Sequence, residues 1–260
     1  MPARFPLLPL LLLLVFPAGC RRGEDTSTLL PGVRQRLAAR DGKLTSYVLE
    51  GTASEGGQTM GFEFAYRAPL KMLGTLGAPV SRAWAWDGER LVERDDTART
   101  LYTYEDTLTP ERRMGVLTQL FSPFVPEGFR APLLPSQNVT ARRVAHPRGP
   151  EAVELTVKPA GSDVEVTYVL RWPSLDFLGK RTRSGGTDSE LRVEEEQCES
   201  ALGLCVPRRL TQWAGNQQVA QTQLTRVELN PTLPAETFTL TAPRGYGVGS
   251  KTFGPVGNPE

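Results

Sequence analysis

The sequence predicts a mainly β protein of the α+β class, with about eleven antiparallel strands and two helices. Apolar and polar residues alternate in short runs over most of the chain, and turn signals separate these runs. Only two segments show helical spacing, and no regular βα alternation of the kind that builds a parallel sheet is present. About 240 residues remain after an N-terminal export signal, a length compatible with one large β domain.

The N-terminus is typical of an export signal. Arg4 precedes an apolar run from Phe5 to Phe16, and this run of about 12 residues is shorter than the roughly 20 that a membrane-spanning helix requires. Residues 1–19 are therefore predicted to be a removable signal peptide.

The sequence Ala18-Gly19-Cys20 resembles the lipobox of bacterial lipoproteins, although Pro17 stands where a leucine is usual. The resemblance implies that Cys20 is the lipid-attachment residue, carries acyl chains such as palmitate and anchors the protein to a membrane. Residues 20–30 would be a polar, lipidated tether. Arg21 stands where an inner-membrane lipoprotein of enterobacteria has Asp, which favours the outer membrane, facing the periplasm. The alternative is an ordinary secretory signal followed by an incidental cysteine.

The first half of the mature chain is predicted to be a short helix followed by a β-meander. Leu30, Val33 and Leu37 recur at helical spacing, and Asp41-Gly42 ends the pattern. From Thr45 onward the period changes to two, as in SYVLEGT and QTMGFEFAYR. The strand-like runs that follow are LKMLGTLG, VSRAWAW, ERLVERD and RTLYTYED.

A second helix interrupts the strands. Thr109 supplies a capping hydroxyl before a proline, and Leu117 and Phe121 lie on one face of the helix that follows. Strand-like runs resume with EAVELTVKP, DVEVTYVLRWP, LDFLGKRTR, SELRVEEEQ, VPRRLTQWA, QVAQTQLTRVEL and FTLTAP. The Gly- and Pro-rich residues 245–260 are predicted to be a disordered tail, which leaves 31–244 as the folded domain.

Cys198 and Cys205 are an even pair in an exported chain, so a disulfide that clips a hairpin loop is the favoured interpretation. Free thiols and a metal or redox role are the alternatives. A metal site would lack further ligands nearby, because the single histidine, His146, lies far away in the sequence.

Four short segments follow one another along the chain: RAPLKM at 67–72, WDGERL at 86–91, NPTLP at 230–234 and FTLTAPRG at 238–245. Taken in order, they resemble the LolA/LolB/LppX superfamily of periplasmic lipoprotein and lipid carriers. The resemblance extends from about residue 30 to 245, and it implies a half-open antiparallel β-barrel whose open face is covered by helices. Between the barrel and the helices, these proteins hold acyl chains in an apolar cavity.

The resemblance implies a site. A sheet that is not closed must cover its apolar face with helices or with a ligand, and flexible methionines suit a cavity whose guest varies. The alternative is that these residues are ordinary core. The predicted ligand-cavity residues are Tyr47, Leu49, Met60, Phe62, Phe64, Met72, Leu117 and Phe121.

The function implied by the resemblance is a membrane-tethered protein that binds acyl chains of lipoproteins or lipids. The alternative is an envelope sensor or scaffold of the same fold, with a periplasmic protein partner. No enzymatic activity, cofactor or metal is expected, because His146 has no nucleophile motif beside it and no nucleotide- or metal-binding motif is present. A nucleic-acid partner is disfavoured: without the signal, basic and acidic residues number 29 each and are interspersed.

Overall fold

The structure is a computed structural model, and it describes residues 26–253 except 107, 133, 136 and 148. All structural statements below refer to these residues. The predicted signal peptide, the lipid-attachment residue Cys20 and the end of the predicted tail at 254–260 lie outside the described residues.

Two α-helices and two short 3-10 helices accompany the strands: α1 is Thr26–Gly42, α2 is Pro110–Phe121, and the 3-10 helices are Ser122–Phe124 and Ala235–Phe238. The first seven strands are β1 Ser46–Glu55, β2 Gln58–Arg67, β3 Lys71–Leu76, β4 Arg82–Trp86, β5 Leu91–Asp95, β6 Thr100–Asp106 and β7 Val139–His146. The others are β8 Gly149–Val157, β9 Glu165–Arg171, β10 Phe177–Ser184, β11 Thr187–Glu199, β12 Leu204–Ala214, β13 Gln217–Leu229 and β14 Gly247–Phe253.

All the described strands form one sheet in the order β14-β6-β5-β4-β3-β2-β1-β13-β12-β11-β10-β9-β8-β7. Every neighbouring pair is antiparallel except β14 and β6, which run parallel. The sheet is open, with β14 and β7 as its edges. The mainly β class with helices is confirmed, whereas the figure of about eleven strands is not, because the described residues form fourteen.

The connection between β6 and β7 crosses the molecule. These two strands are consecutive in the sequence, yet they lie near opposite edges of the sheet. The chain that joins them contains α2 and the first 3-10 helix. In the middle of the sheet, β1 pairs with β13, which joins the beginning of the domain to its end.

Alternation along β1 and β2 sends one set of side chains to a common face. Tyr47 pairs with Tyr66 and Leu49 pairs with Phe64; all four side chains are buried. We call this side of the sheet the covered face, because both α-helices pack against it. Polar residues such as Glu63 alternate with these positions and are exposed.

Helix α1 packs over the second half of the sheet. Its buried residues Leu29, Val33 and Leu37 join an apolar cluster with β7–β12. The predicted helix is confirmed, but Leu29 is buried where Leu30 was expected, and Leu30 is only half-buried. The helix begins at Thr26, so the predicted tether of residues 20–30 is too long by several residues. The Thr26 hydroxyl bonds to both the backbone N–H and the carbonyl of Ala141, so it occupies part of the β7 edge that would otherwise be open to strand addition.

Three predictions for the strands need correction. Strand β7 was not predicted, because the consecutive residues Arg142 and Arg143 interrupt its alternation; its last residue is His146. The tail is not disordered over Gly247–Phe253, which pairs with β6 along its whole length. The predicted strand at 238–243 is instead a short helix ending at Phe238, followed by irregular chain; the buried ring of Phe238 is covered by the Arg67 guanidinium, 5.3 Å from its centroid.

The predicted disulfide is confirmed. Cys198 on β11 and Cys205 on β12 are direct partners in the ladder, and their sulfurs are bonded at 2.05 Å. The bond closes the hairpin between these two strands. Glu196 lies within 4.8 Å of both sulfurs, but bonded sulfurs have no thiolate to offer a metal ion.

Candidate functional site

The covered face of β1–β5 carries the main apolar cluster of the protein. Seven of the eight predicted ligand-cavity residues belong to it and are buried. The eighth, Met60, lies near the start of β2 and is only half-buried. The structure thus brings together Tyr47, Leu49, Phe62, Phe64, Met72, Leu117 and Phe121.

Helix α2 and the short helix after it lie over this cluster, and we call residues Pro110–Phe124 the lid. Leu117 and Phe121 are the fully buried residues of α2, and Phe124 follows them in the short helix. The ring of Phe64 lies 6.1 Å from that of Phe121 and 6.0 Å from that of Phe124. Met114, on the outer side of the lid, is exposed.

The lid packs tightly against the sheet at Gly74. A Cβ atom at this position would lie 2.8 Å from the Phe124 ring, which is closer than side-chain contacts allow. Trp84, paired with Gly74 across the strands, contacts the same ring edge-on at 5.9 Å. The glycine therefore forms a seat for Phe124 between Phe64 and Trp84.

Phe129 covers the other end of the cluster. Its ring is 5.5 Å from that of Tyr47, and burial raises the pKa of the Tyr47 hydroxyl. The preceding residue, Gly128, lies against Phe177 and Pro207. Since Phe177 belongs to the cluster under α1, the two apolar clusters meet at residues 128–129.

A buried carboxylate interrupts the apolar face at β5. Glu93 pairs with Trp84 across the strands, so both side chains point to the covered face. Its Oε2 accepts hydrogen bonds from the Tyr104 hydroxyl at 2.5 Å and from Lys251 Nζ at 2.7 Å. Burial raises the pKa of the Tyr104 hydroxyl, and the hydrogen bond to the Glu93 carboxylate raises it further. Sequence reasoning missed this group, although its place in the alternation with Leu91 is a signal that could have found it.

Two other spaces in the structure are not bordered by the predicted cavity residues. A groove of about 430 Å³ lies over β7–β12 on the opposite face, and its lining includes Glu154, Arg181 and Trp213. A cavity of about 10 Å³ lies between α1 and residues 127–132. The covered face of β1–β5 is instead packed with the protein's own rings. Neither α-helix of the described residues is long and apolar enough to cross a membrane.

Comparisons with known proteins point to a shared fold. No protein-family model and no curated protein sequence match the chain significantly. The chain is similar to the crystal structure of a DUF1329 family protein from Desulfovibrio piger, with a TM-score of 0.52, 9% identity, and coverage of 83% of this chain and 97% of the other. This likeness shows that the two chains share a fold.

Two further solved structures are similar at lower scores. One is the LolA superfamily protein NE2245 from Nitrosomonas europaea, with a TM-score of 0.46, 12% identity, and coverage of 80% of this chain and 97% of the other. The other is the MucA/MucB complex of Pseudomonas aeruginosa, with a TM-score of 0.31, 14% identity, and coverage of 81% of this chain and 60% of the other.

Proposed function

We propose that the protein is a membrane-tethered periplasmic carrier that takes acyl chains of lipoproteins or lipids onto the covered face of β1–β5. The observation that carries the proposal is an apolar sheet face closed by a short lid rather than by a second sheet. An acyl chain that entered between lid and sheet would contact the side chains that now contact Leu117, Phe121 and Phe124.

The lid can leave without breaking the sheet. It contains no strand, so its movement disrupts no ladder hydrogen bond. Exposing its three buried side chains costs about 1.5–3 kcal/mol each, or roughly 5–9 kcal/mol together. Burying a 16-carbon chain at about 0.8 kcal/mol per methylene returns about 12 kcal/mol. The cost of exposing the lid side chains and the gain from burying the acyl chain are of similar size. Exchange of lid contacts for an acyl chain can therefore be reversible.

The tether is the second part of the proposal, and it rests on the sequence around Cys20. More than one acyl chain on this residue would give stable anchoring, where a single chain is marginal. The few polar residues between Cys20 and α1 would hold the covered face within reach of the same membrane. A carrier or acceptor attached to the outer membrane fits this geometry.

A titration tests the carrier function. The mature chain with Cys20→Ser is titrated with a fluorescent 16-carbon acyl probe, alongside Phe64→Asp and Phe124→Ala. We expect saturable binding by the unmodified site, loss of binding in Phe64→Asp, and at least fivefold tighter binding in Phe124→Ala, because the latter removes the ring that competes with the guest.

Leu178→Ala is the matched control, since this buried residue belongs to a small separate cluster with Ala152 and Val169. It should lose stability without changing affinity for the probe. Absence of saturable binding in both the unmodified site and Phe124→Ala would overturn the carrier proposal.

One observation favours a second candidate, an envelope sensor or scaffold that binds a protein partner. The covered face is filled by Phe121, Phe124 and Phe129 in this structure, as in a protein whose interior is only a core. Under this alternative, Phe124→Ala would lower stability without any gain in probe binding. A stoichiometric protein partner would then be recovered from the envelope by crosslinking.

A further inference from the structure

Two buried polar atoms on the covered face have no hydrogen-bond partner among the described residues. One is Oε1 of Glu93, an acceptor, and the other is Nε1 of Trp86, a donor. Both residues are at least 97% buried, with exposed fractions of 1% and 3%. Leaving such atoms unpaired costs about 1–3 kcal/mol each, so each of them requires an explanation.

The two atoms belong to one site. Trp86 pairs with Leu91 and Trp84 pairs with Glu93 across β4 and β5. Trp86 and Glu93 are thus diagonal neighbours on the same face, a relation in which long side chains can reach one another. Phe253 lies between the rings of Trp86 and Tyr104, with ring centroids 6.3 Å from Trp86 and 6.2 Å from Tyr104. The result is an aromatic wall beside one free acceptor and one free donor.

The charges around the carboxylate are balanced. Lys251 bonds to Oε2 of Glu93, and Arg82 Nη1 approaches Oε1 to 3.7 Å without forming a hydrogen bond. Arg82 also pairs with Asp95 at 3.0 Å. Two cations and two anions sum to zero, so this group of residues has no net charge with which to attract an ionised ligand.

We propose that Glu93 and Trp86 form the site for the polar end of the guest, and that this end is neutral and carries both a hydrogen-bond donor and an acceptor, as an acyl amide does. This inference rests on the proposed carrier function. The N–H and C=O of a trans amide point in opposite directions, so one amide can donate to Glu93 Oε1 and accept from Trp86 Nε1. The hydrocarbon then extends over β1–β3.

Other head groups satisfy the pair less well. A carboxylate has acceptors only, so it would pair with Trp86 and place a negative charge beside Glu93. An ester would pair with Trp86 and leave Glu93 Oε1 without a donor. A hydroxyl carries the donor and the acceptor on a single oxygen. It can therefore bond to both Glu93 and Trp86, but it spans a shorter distance than an amide does.

The experiment compares one 16-carbon chain, labelled with the same fluorophore, that ends in an N-methylamide, a methyl ester, a primary hydroxyl or a carboxylate. On the mature chain with Cys20→Ser, we expect the amide to bind at least tenfold tighter than the carboxylate, with the ester in between. The affinity for the hydroxyl probe is compared with that for the amide probe. Tighter binding of the amide indicates an amide-like head group, and tighter binding of the hydroxyl indicates a glyceride-like one.

Two variants assign the roles. Trp86→Phe removes the donor without breaking any hydrogen bond of the structure, and it should weaken the amide and the ester about fivefold. Glu93→Gln removes the charge, and it should narrow the preference against the carboxylate. Trp213→Phe and Glu154→Gln, at the groove on the opposite face, are controls. They should change neither the affinity for the amide and the ester nor the preference against the carboxylate. Thermal unfolding checks that each variant is folded, and Trp86→Phe suffices for the test should Glu93→Gln unfold.

Equal affinity for all four probes, or unchanged affinity for the amide and the ester in folded Trp86→Phe, would overturn the head-group site while leaving the carrier function in place. No saturable binding of any probe would overturn both proposals.

Discussion

Arg40 and Asp176 form an ion pair in which both side chains are buried, with 4% and 3% of their surfaces exposed and a closest approach of 3.6 Å. Arg40 also donates to the carbonyls of Gly128 at 2.7 Å and Cys205 at 3.2 Å. Asp176 accepts the backbone N–H of Cys205 at 2.9 Å. The pair therefore ties α1, the segment after the lid and the disulfide hairpin to one point where the two apolar clusters meet. Burial lowers the pKa of Arg40, and the Asp176 charge opposes that shift.

Asp176→Ala is expected to destabilise the protein by about 3–5 kcal/mol, because it leaves the Arg40 guanidinium buried without its counter-charge. Urea unfolding measures the change. Asp188→Ala is the control: its pair with Arg183 is about two-thirds exposed, so the loss should stay below about 1 kcal/mol. Similar losses in the two variants would show that the buried pair has no special role.

Gly74→Ala should displace the Phe124 ring from its seat and loosen the lid. We expect limited proteolysis within residues 110–124 to become at least several-fold faster, with a loss of about 1–3 kcal/mol in stability. Gly61→Ala is a matched control on the neighbouring strand, where an added Cβ would meet nothing closer than 4.0 Å. Unchanged cleavage in Gly74→Ala would contradict the proposed seat.

Replacing Cys198 and Cys205 by Ala should lower the free energy of unfolding by about 2.5 kcal/mol, the loop-closure value for a loop of about eight residues. The same shift should follow from adding a reductant to the unmodified protein. Denaturant midpoints with and without reductant measure it. Reductant should leave the double variant unaffected, and a further shift in that variant would mean that the disulfide does not account for the effect.

The stability of the protein should depend on Asp95 at acid pH. The backbone N–H of Ala98 and the charge of Arg82 hold the pKa of Asp95 below its ordinary value of 3.8. Because the pKa of Asp95 is lower in the folded state, its contribution to stability is fully present above the ordinary value of 3.8. That contribution is lost as the pH falls through the folded pKa. Asp95→Asn should therefore lower stability at pH 7 more than at pH 2.5. An equal loss at both pH values would contradict the assignment.

Much of the sheet could be predicted from the sequence because its strands alternate strictly, as in β2, where Phe62, Phe64 and Tyr66 are buried on one side. The lid residues Leu117 and Phe121 could also be predicted, because they are four residues apart and so lie on one face of a helix. Strand β14 could not be found, because Gly247 and Gly249 have low strand propensity and the ladder with β6 supplies what the local sequence lacks.

The polar parts of the site were missed for a different reason. Glu93 and Arg40 are buried by tertiary contacts with residues far away in the sequence, such as Lys251 and Asp176. A charged residue in an amphipathic pattern ordinarily marks the solvent side, so charge alone assigns both residues to the surface. Their positions in the local pattern, in alternation with Leu91 and three residues after Leu37, indicate burial instead.

The path of the lid has a consequence for how the chain could be divided. A cut within it would leave two pieces, one with α1 and β1–β6 and the other with β7–β14, and no strand would be severed. Each piece completes the other, because α1 covers strands of the second piece while β14 adds to the edge of the first. The protein is thus suited to split-protein complementation, in which two separately produced fragments reassemble into the full sheet.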